Sequence, residues 1–167
     1  MSEDYTLREY REGDEPKIIE LLDEVFRDWP HIDTHLSKLE FWDWKYQRNP
    51  VNRSFICLAL SGDRVIACHH NSVVRLKIMD DIILGTAGQD LAVHRDFRGM
   101  GLSSQVGNLN MSLRTEKGIP FSFFLTRSPI LIRRYKKSES LDERRPRFPL
   151  EIINLGRIRD IDLHFSH

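Results

Sequence analysis

The chain has 167 residues, 40% of them hydrophobic and 30% charged, and its 25 basic side chains are balanced by 25 acidic ones. That suits a single soluble domain with a sizeable core, and the charge balance argues against a general binder of nucleic-acid backbone, which carries a basic excess. No apolar run approaches the roughly 18 residues of a membrane span, and the charged segment over 1–11 lacks the apolar centre of a signal peptide.

Residues 5–10 alternate apolar and polar, the pattern of a short half-buried strand. Gly13-Asp14 turns the chain and Pro16 suits a first helical turn. Ile18, Ile19, Leu21, Leu22, Val25 and Phe26 then recur at helical spacing until Trp29-Pro30 ends the helix. A second helix is expected over 36–46, where Leu39, Trp42 and Tyr46 share a stripe that Phe41 and Trp44 widen. Core packing is the plainer reading of that aromatic load; part of a cleft wall is the functional one. Strands over 55–60, 65–79 and 82–93, with turns at 61–64 and 80–81, read as an antiparallel meander. Gly85 and Gly88 interrupt the third strand, where glycine marks a bulge or a close backbone approach.

The pattern changes after His94. A polar, glycine-rich loop over 95–101 leads into a helix over 102–117, on which Leu102, Val106, Leu109 and Leu113 form one stripe. Gly118 to Pro120 stops it. The continuous apolar run over 121–125 is expected as a buried strand. Ser128 and Pro129 open a short helix over 130–137. Strand, loop, helix, strand is the layout of a parallel pair with a crossover. Residues 150–155 and 158–165 suit further strands. The fold class expected is α/β (α+β): a mixed central sheet, an antiparallel N-terminal meander and one parallel strand pair, flanked by about four helices. The chain reads as a single domain, 1–167, or as one domain of a longer protein.

Cys57 and Cys68 are spaced for neither a metal nor a redox motif, so free thiols in a reducing, cytoplasmic setting are expected. His69 and His70 are adjacent on a strand and point to opposite faces, which argues against joint metal ligation; no metal is expected.

The chemistry concentrates in Arg98-Gly99-Met100-Gly101-Leu102-Ser103-Ser104, between a strand and a helix start. Glycines let backbone N–H groups converge on one point, and the helix end adds unpaired donors and a positive dipole, a cradle for phosphate oxygens. The hydroxyls of Ser103 and Ser104 add donors. The segment lacks the lysine and spacing of a P-loop, and Ser104 stands where a dinucleotide-binding motif has its third glycine.

Here the chain resembles the GNAT N-acetyltransferase family, whose acyl-CoA loop reads Arg or Gln, two residues, Gly, one residue, Gly or Ala. Arg98 to Ser103 is similar, with Ser103 as the last small residue. Leu91-Ala92-Val93-His94-Arg95-Asp96-Phe97-Arg98-Gly99 also resembles the family's Leu-x-Val-x-Pro-x-Tyr/Phe-Arg-Gly, with Arg95 in place of proline. A second family signature, an Asn and a downstream Tyr, falls on Ser128 and Tyr135, and Glu139-Ser140 stand where it continues to Gly-Phe. The order of elements follows the family over nearly the whole chain.

The resemblance implies transfer of acetyl from acetyl-CoA, a co-substrate, to an amine by direct attack. Arg98, Gly99, Met100, Gly101, Leu102, Ser103 and Ser104 would hold the pyrophosphate. The strand end Leu91, Ala92 and Val93 would lie beside the thioester, with a backbone N–H for the developing oxyanion. Tyr135 would protonate the departing thiolate. For the general base, Asp90 and His94 share a strand face by period two, while Gln89 faces the other way and is placed to order a water. Glu24, Asp28 and His31 lie where the acceptor cleft forms, or are plain solvated residues. The basic run over 130–149 is a solvated face, greets an acidic acceptor, or brings Arg133 or Arg134 to the 3′-phosphate of CoA. The expected partner is a small-molecule or peptide amine, with no nucleic acid, no membrane and a possible homodimer. Two rival readings remain: a CoA-binding regulatory domain without turnover, and an interaction module that has lost the cofactor.

Overall fold

The computed structural model describes residues 4–51, 54–119, 121–126 and 133. The chain divides into two units, Met1–Leu125 and Thr126–His167, and the first holds the sheet and the three helices α1 to α3. The strands expected over 150–155 and 158–165 lie outside the described residues, as does the helix over 130–137 apart from Arg133.

Strands β1 (Thr6–Glu9), β2 (Phe55–Ser61), β3 (Arg64–Ile78) and β4 (Asp81–Val93) pair antiparallel in that spatial order, and β5 (Ser122–Phe124) joins β4 in parallel. Helices α1 (Glu15–Phe26) and α2 (Lys38–Tyr46) cover one face, and α3 (Leu102–Glu116) the other. This is the mixed sheet expected from the sequence. Strand β2 explains why the sheet is a two-sided core: Ile56, Leu58 and Leu60 pack with α1 and α2, while Cys57 and Ala59 pack with Val106 and Leu102 of α3. Its sequence is therefore a continuous apolar run rather than an alternation. Cys57 and Cys68 are buried free thiols in opposite halves of that core. Burial pushes both thiols up, Cys57 to about 12.

Local chemistry sets the helix ends. Helix α2 begins at Lys38 rather than Leu36, because Ser37 and Glu40 form a reciprocal cap: the Ser37 amide donates to Glu40 Oε2 at 2.8 Å and the Glu40 amide to Ser37 Oγ at 3.3 Å. The expected stripe on α2 is rotated. Phe41, Trp42 and Tyr46 are buried, while Leu39 and Trp44 are exposed, because residues three and four apart, not all five, can face one sheet. On α3, Leu102 and Val106 are buried as expected, and so is Asn110, whose amide donates to the carbonyls of Phe55 and His69 at 3.0 and 3.3 Å.

One expectation about strands is corrected and another is narrowed. Strand β5 is exposed rather than buried: its described neighbour is β4 alone, and Phe123 and Phe124 remain 36% and 42% accessible. The glycines of β4 mark close approach and no bulge. A Cβ on Gly85 would come within 2.5 Å of Leu76 Cδ1, and one on Gly88 within 3.4 Å of Phe124 Cβ. The irregularity of β4 lies two residues further on, where Cys68 pairs with Ala92 and His70 with Gln89, so that Asp90 and Leu91 both oppose His69.

Candidate functional site

The loop after β4 is built to present backbone. Arg95–Phe97 forms one turn of 3₁₀ helix that buries the Phe97 ring in the α3 side of the core. Gly99 and Gly101 then take φ of 89° and 74°, values that L side chains rarely adopt. Gly101 caps α3, and its carbonyl accepts from the amides of Ser104 and Gln105 at 3.0 and 3.1 Å. Among the described residues, the amides of Gly99, Met100, Gly101, Leu102 and Ser103 have no acceptor. The Leu102 side chain is buried, so its backbone is what the surface offers. A Cβ on Gly99 would meet open space, and one on Gly101 only Gln105 Nε2 at 3.9 Å. Five free donors at a positive helix end, with open space beside the two glycines, fit a diphosphate. The loop is held from below: Gln105 Nε2 donates to the Met100 carbonyl at 3.2 Å and to Tyr5 Oη at 2.9 Å, and Arg98 Nε donates to the Val93 carbonyl at 3.3 Å.

Upstream, β5 pairs with β4 only as far as Gly88 and Phe124. From Gln89 to Val93 no described strand lies along the outer edge of β4. Leu91 and Val93 pack towards α3 and Ala92 towards α1 and α2, so their side chains face away from that edge and their peptide groups line it. The bulge changes the faces. Asp90, at φ 42°, turns to the α1–α2 side, and Gln89, paired with His70, belongs to the same face instead of the opposite one. Period two predicts alternation, and one extra residue cancels it.

Asp90 is the most connected side chain of this region. Trp29 Nε1, Lys45 Nζ and the Tyr46 hydroxyl all donate to its Oδ2, the first two at 3.1 and 2.8 Å. Among the described residues nothing donates to Oδ1. Burial pushes this carboxyl up, but the charge and hydrogen bond of Lys45 and the bond from Tyr46 outweigh it and hold the group below the ordinary range. His70 stacks on Tyr46 with ring centroids 4.3 Å apart. His70 Nε2 accepts from Trp42 Nε1 at 3.2 Å, which leaves its proton on Nδ1 facing the Asp90 carbonyl at 3.3 Å. Burial pushes His70 down to about 4, so the ring is neutral. Lys45, Tyr46, Trp29 and His70 are functional candidates that sequence reasoning missed. Their partner Asp90 lies 20 to 61 residues away in sequence, and no local spacing announces such contacts.

His94 lies on the same face as Asp90, as period two predicts after the bulge, but in a different cluster. Its ring is 2% exposed, with Nε2 2.8 Å from Glu24 Oε1 and Nδ1 accepting from the Asp96 amide at 3.3 Å. Arg64 Nη2 lies 3.1 Å from Glu24 Oε2 and 2.8 Å from His94 Nε2. Beside this group a cavity of about 420 Å³ is lined by Lys17, Glu20, Leu21, Glu24, Ser61, Asp63, Arg64 and Val65, with no residue of the glycine loop. Of the other acceptor-side candidates, Asp28 and His31 take φ of 68° and 56° just after α1. His69 and His70 pack on opposite faces, His69 towards Gly107 of α3. Arg133 is exposed. Ser128, Arg134 and Tyr135 lie outside the described residues.

No family model and no curated protein sequence matches the chain. Solved structures do match. The chain is similar to glucosamine-6-phosphate N-acetyltransferase from Arabidopsis thaliana, with a TM-score of 0.65 at 18% identity over 95% of this chain and 100% of that one. It is also similar to an acetyltransferase of the GNAT family from Staphylococcus aureus, with a TM-score of 0.58 at 15% identity over 82% of each chain. The chain has the GNAT fold. A third neighbour, a predicted acetyltransferase from Clostridium acetobutylicum solved with acetyl-CoA, gives a TM-score of 0.64 at 14% identity over 98% of this chain and 100% of that one. Within the GNAT fold of this chain, the glycine loop, the open edge of β4 and the Asp90 cluster follow one another along a single strand and its exit.

Proposed function

We propose that the protein is an N-acetyltransferase that moves acetyl from acetyl-CoA to an amine on a small molecule or a peptide. The observation that carries this reading is the run of five free amides from Gly99 to Ser103 at the start of α3, in a fold shared with acetyltransferases. These amides bind the diphosphate of CoA, and Arg98, Ser103 and Ser104 stand beside them. The peptide groups of Leu91, Ala92 and Val93 run along the pantetheine arm, and an amide there stabilises the negative charge that develops on the thioester oxygen. The resemblance to the GNAT family gives Ser128 and Arg133 to CoA as well.

Asp90 then faces the acceptor. Three donors on Oδ2 fix the carboxylate, and Oδ1 stays open to an incoming ammonium, whose proton it takes directly or through a water ordered by Gln89. A carboxylate held below its usual range binds an ammonium well and is a weak proton acceptor, so the water ordered by Gln89 carries the proton past Asp90 to solvent. Tyr135 delivers the proton that the departing thiolate needs.

Thermal melting with and without CoA and acetyl-CoA tests the reading. A ligand at 100 times its Kd adds about 2.7 kcal/mol, which raises Tm by roughly 5–11 °C for a chain of this size. A shift of that order with both ligands supports the site, and thiol release on an amine panel then identifies the acceptor. No shift at millimolar ligand rules out the CoA site.

A further inference from the structure

We infer that Glu24 and His94 are positioning residues: together they brace the entry of the glycine loop from α1 and so set its amides for the diphosphate. This rests on the reading of that loop as a CoA site. It assigns His94 to the binding of CoA and leaves the proton path to other groups.

The geometry supports the brace in three ways. First, His94 is the residue at which β4 ends and the loop begins, and every polar group on it is occupied. Its amide donates to the Ile66 carbonyl at 2.8 Å, and its carbonyl accepts from the Phe97 amide at 3.0 Å. Nδ1 accepts from the Asp96 amide, so the ring proton sits on Nε2, where Glu24 Oε1 and Arg64 Nη2 both lie at 2.8 Å; a guanidinium only donates, so Glu24 Oε1 is the acceptor of the two. Arg64 holds the other oxygen of that carboxylate. A ring that is buried and spoken for on both nitrogens has neither a lone pair nor a proton to offer a substrate.

Second, what the ring holds is the loop itself. Asp96 and Phe97 are its first turn, and the Phe97 ring lies edge-on to His94 at 5.7 Å. Helix α1 thus reaches the loop through one side chain, while Gln105 and Tyr5 hold its far end at Met100. Arg98 to Gly101 is suspended between two fixed points.

Third, the donors of the cradle are backbone amides, which point where the chain points. Fixing one residue of backbone has an entropic cost equivalent to roughly a tenfold change in affinity. A loop ordered beforehand does not meet that cost on binding.

The test is a double-mutant cycle read by calorimetric titration with CoA. Glu24→Ala and His94→Ala each weaken CoA binding by roughly tenfold, and the double variant weakens it no further than either alone, because the two act as one unit. Glu24→Gln keeps an oxygen for the Nε2 proton and binds CoA as the wild type does. A residue that merely supports the fold would lower Tm without this rescue and without the coupling. Should His94→Ala fail to fold, Glu24→Ala against Glu24→Gln carries the comparison. Unchanged CoA affinity in Glu24→Ala, or additive losses in the cycle, overturns the brace. So does a His94 variant whose kcat on an accepted amine falls and loses its pH dependence while its Kd for CoA stands. A wild type that binds no CoA overturns the functional reading and the brace with it; wild-type binding with indifferent variants overturns the brace alone.

Discussion

Three donors on one oxygen make Asp90 informative about acid. Its folded value lies below the ordinary 3.8, so the contribution of the Lys45–Asp90 pair is present above that value and lost as the pH falls through the lower one. Lys45→Met leaves a carboxylate buried beside the Tyr46 and Trp29 donors without its counter-charge. Removing one partner of such a half-buried pair costs about 1–3 kcal/mol. Urea melts should show a loss of that order at pH 7 and a smaller one in acid, as the carboxyl left without Lys45 takes up its proton. Equal losses in both conditions would mean that Lys45 acts through packing on the Trp29, Phe41 and Tyr46 rings, which it approaches to 5.9, 5.8 and 5.1 Å. At the loop, Gly101→Arg places a long side chain over the free amides, at φ 74°. CoA affinity should fall at least a hundredfold in calorimetry. The strained backbone costs about 1–2 kcal/mol, so the variant still folds. Retained affinity in the folded variant would move the diphosphate elsewhere. Gly99 and Gly101 were legible in the sequence because their chemistry is local. Lys45 and Tyr46 were not, because burial and long-range partners alone give them a role.

At the scale of elements, the sequence placed every strand and helix of the first unit, and missed what depends on neighbours. The start of α2 was legible in principle: Ser37 and Glu40 stand at the capping-box spacing, a stronger signal than the apolar stripe that suggested Leu36. Ser37→Ala should cost about 1 kcal/mol, read as a lower urea midpoint with an unchanged slope; no change would leave the cap decorative. The bulge of β4 was not legible. Glycine is the usual marker, yet Gly85 makes room for Leu76 and Gly88 is paired in regular register, and the extra residue falls on Asp90, whose side chain is anchored by another element. The face of Gln89 followed from alternation and was wrong for that reason. The exposure of Phe123 and Phe124 was likewise missed, because an apolar run says what a strand can bury and not what lies beside it.

For the molecule as a whole, the order of elements carried the fold further than residue identity did. A TM-score of 0.65 at 18% identity means that the course of the backbone persists while most side chains differ. Function does not follow from that likeness; it follows from the donors and carboxylates that this chain places on the shared frame. The two-sided core lets that frame be watched one layer at a time. One thiol, Cys57, lies beneath α3 and the other, Cys68, beneath α1 and α2. Each is a weak acid shielded from reagents, so each is alkylated only when its own layer opens. Native-state labelling therefore times the loosening of the two layers separately in one sample. A ligand gripping the first turn of α3 should slow the Cys57 clock and leave the Cys68 clock running.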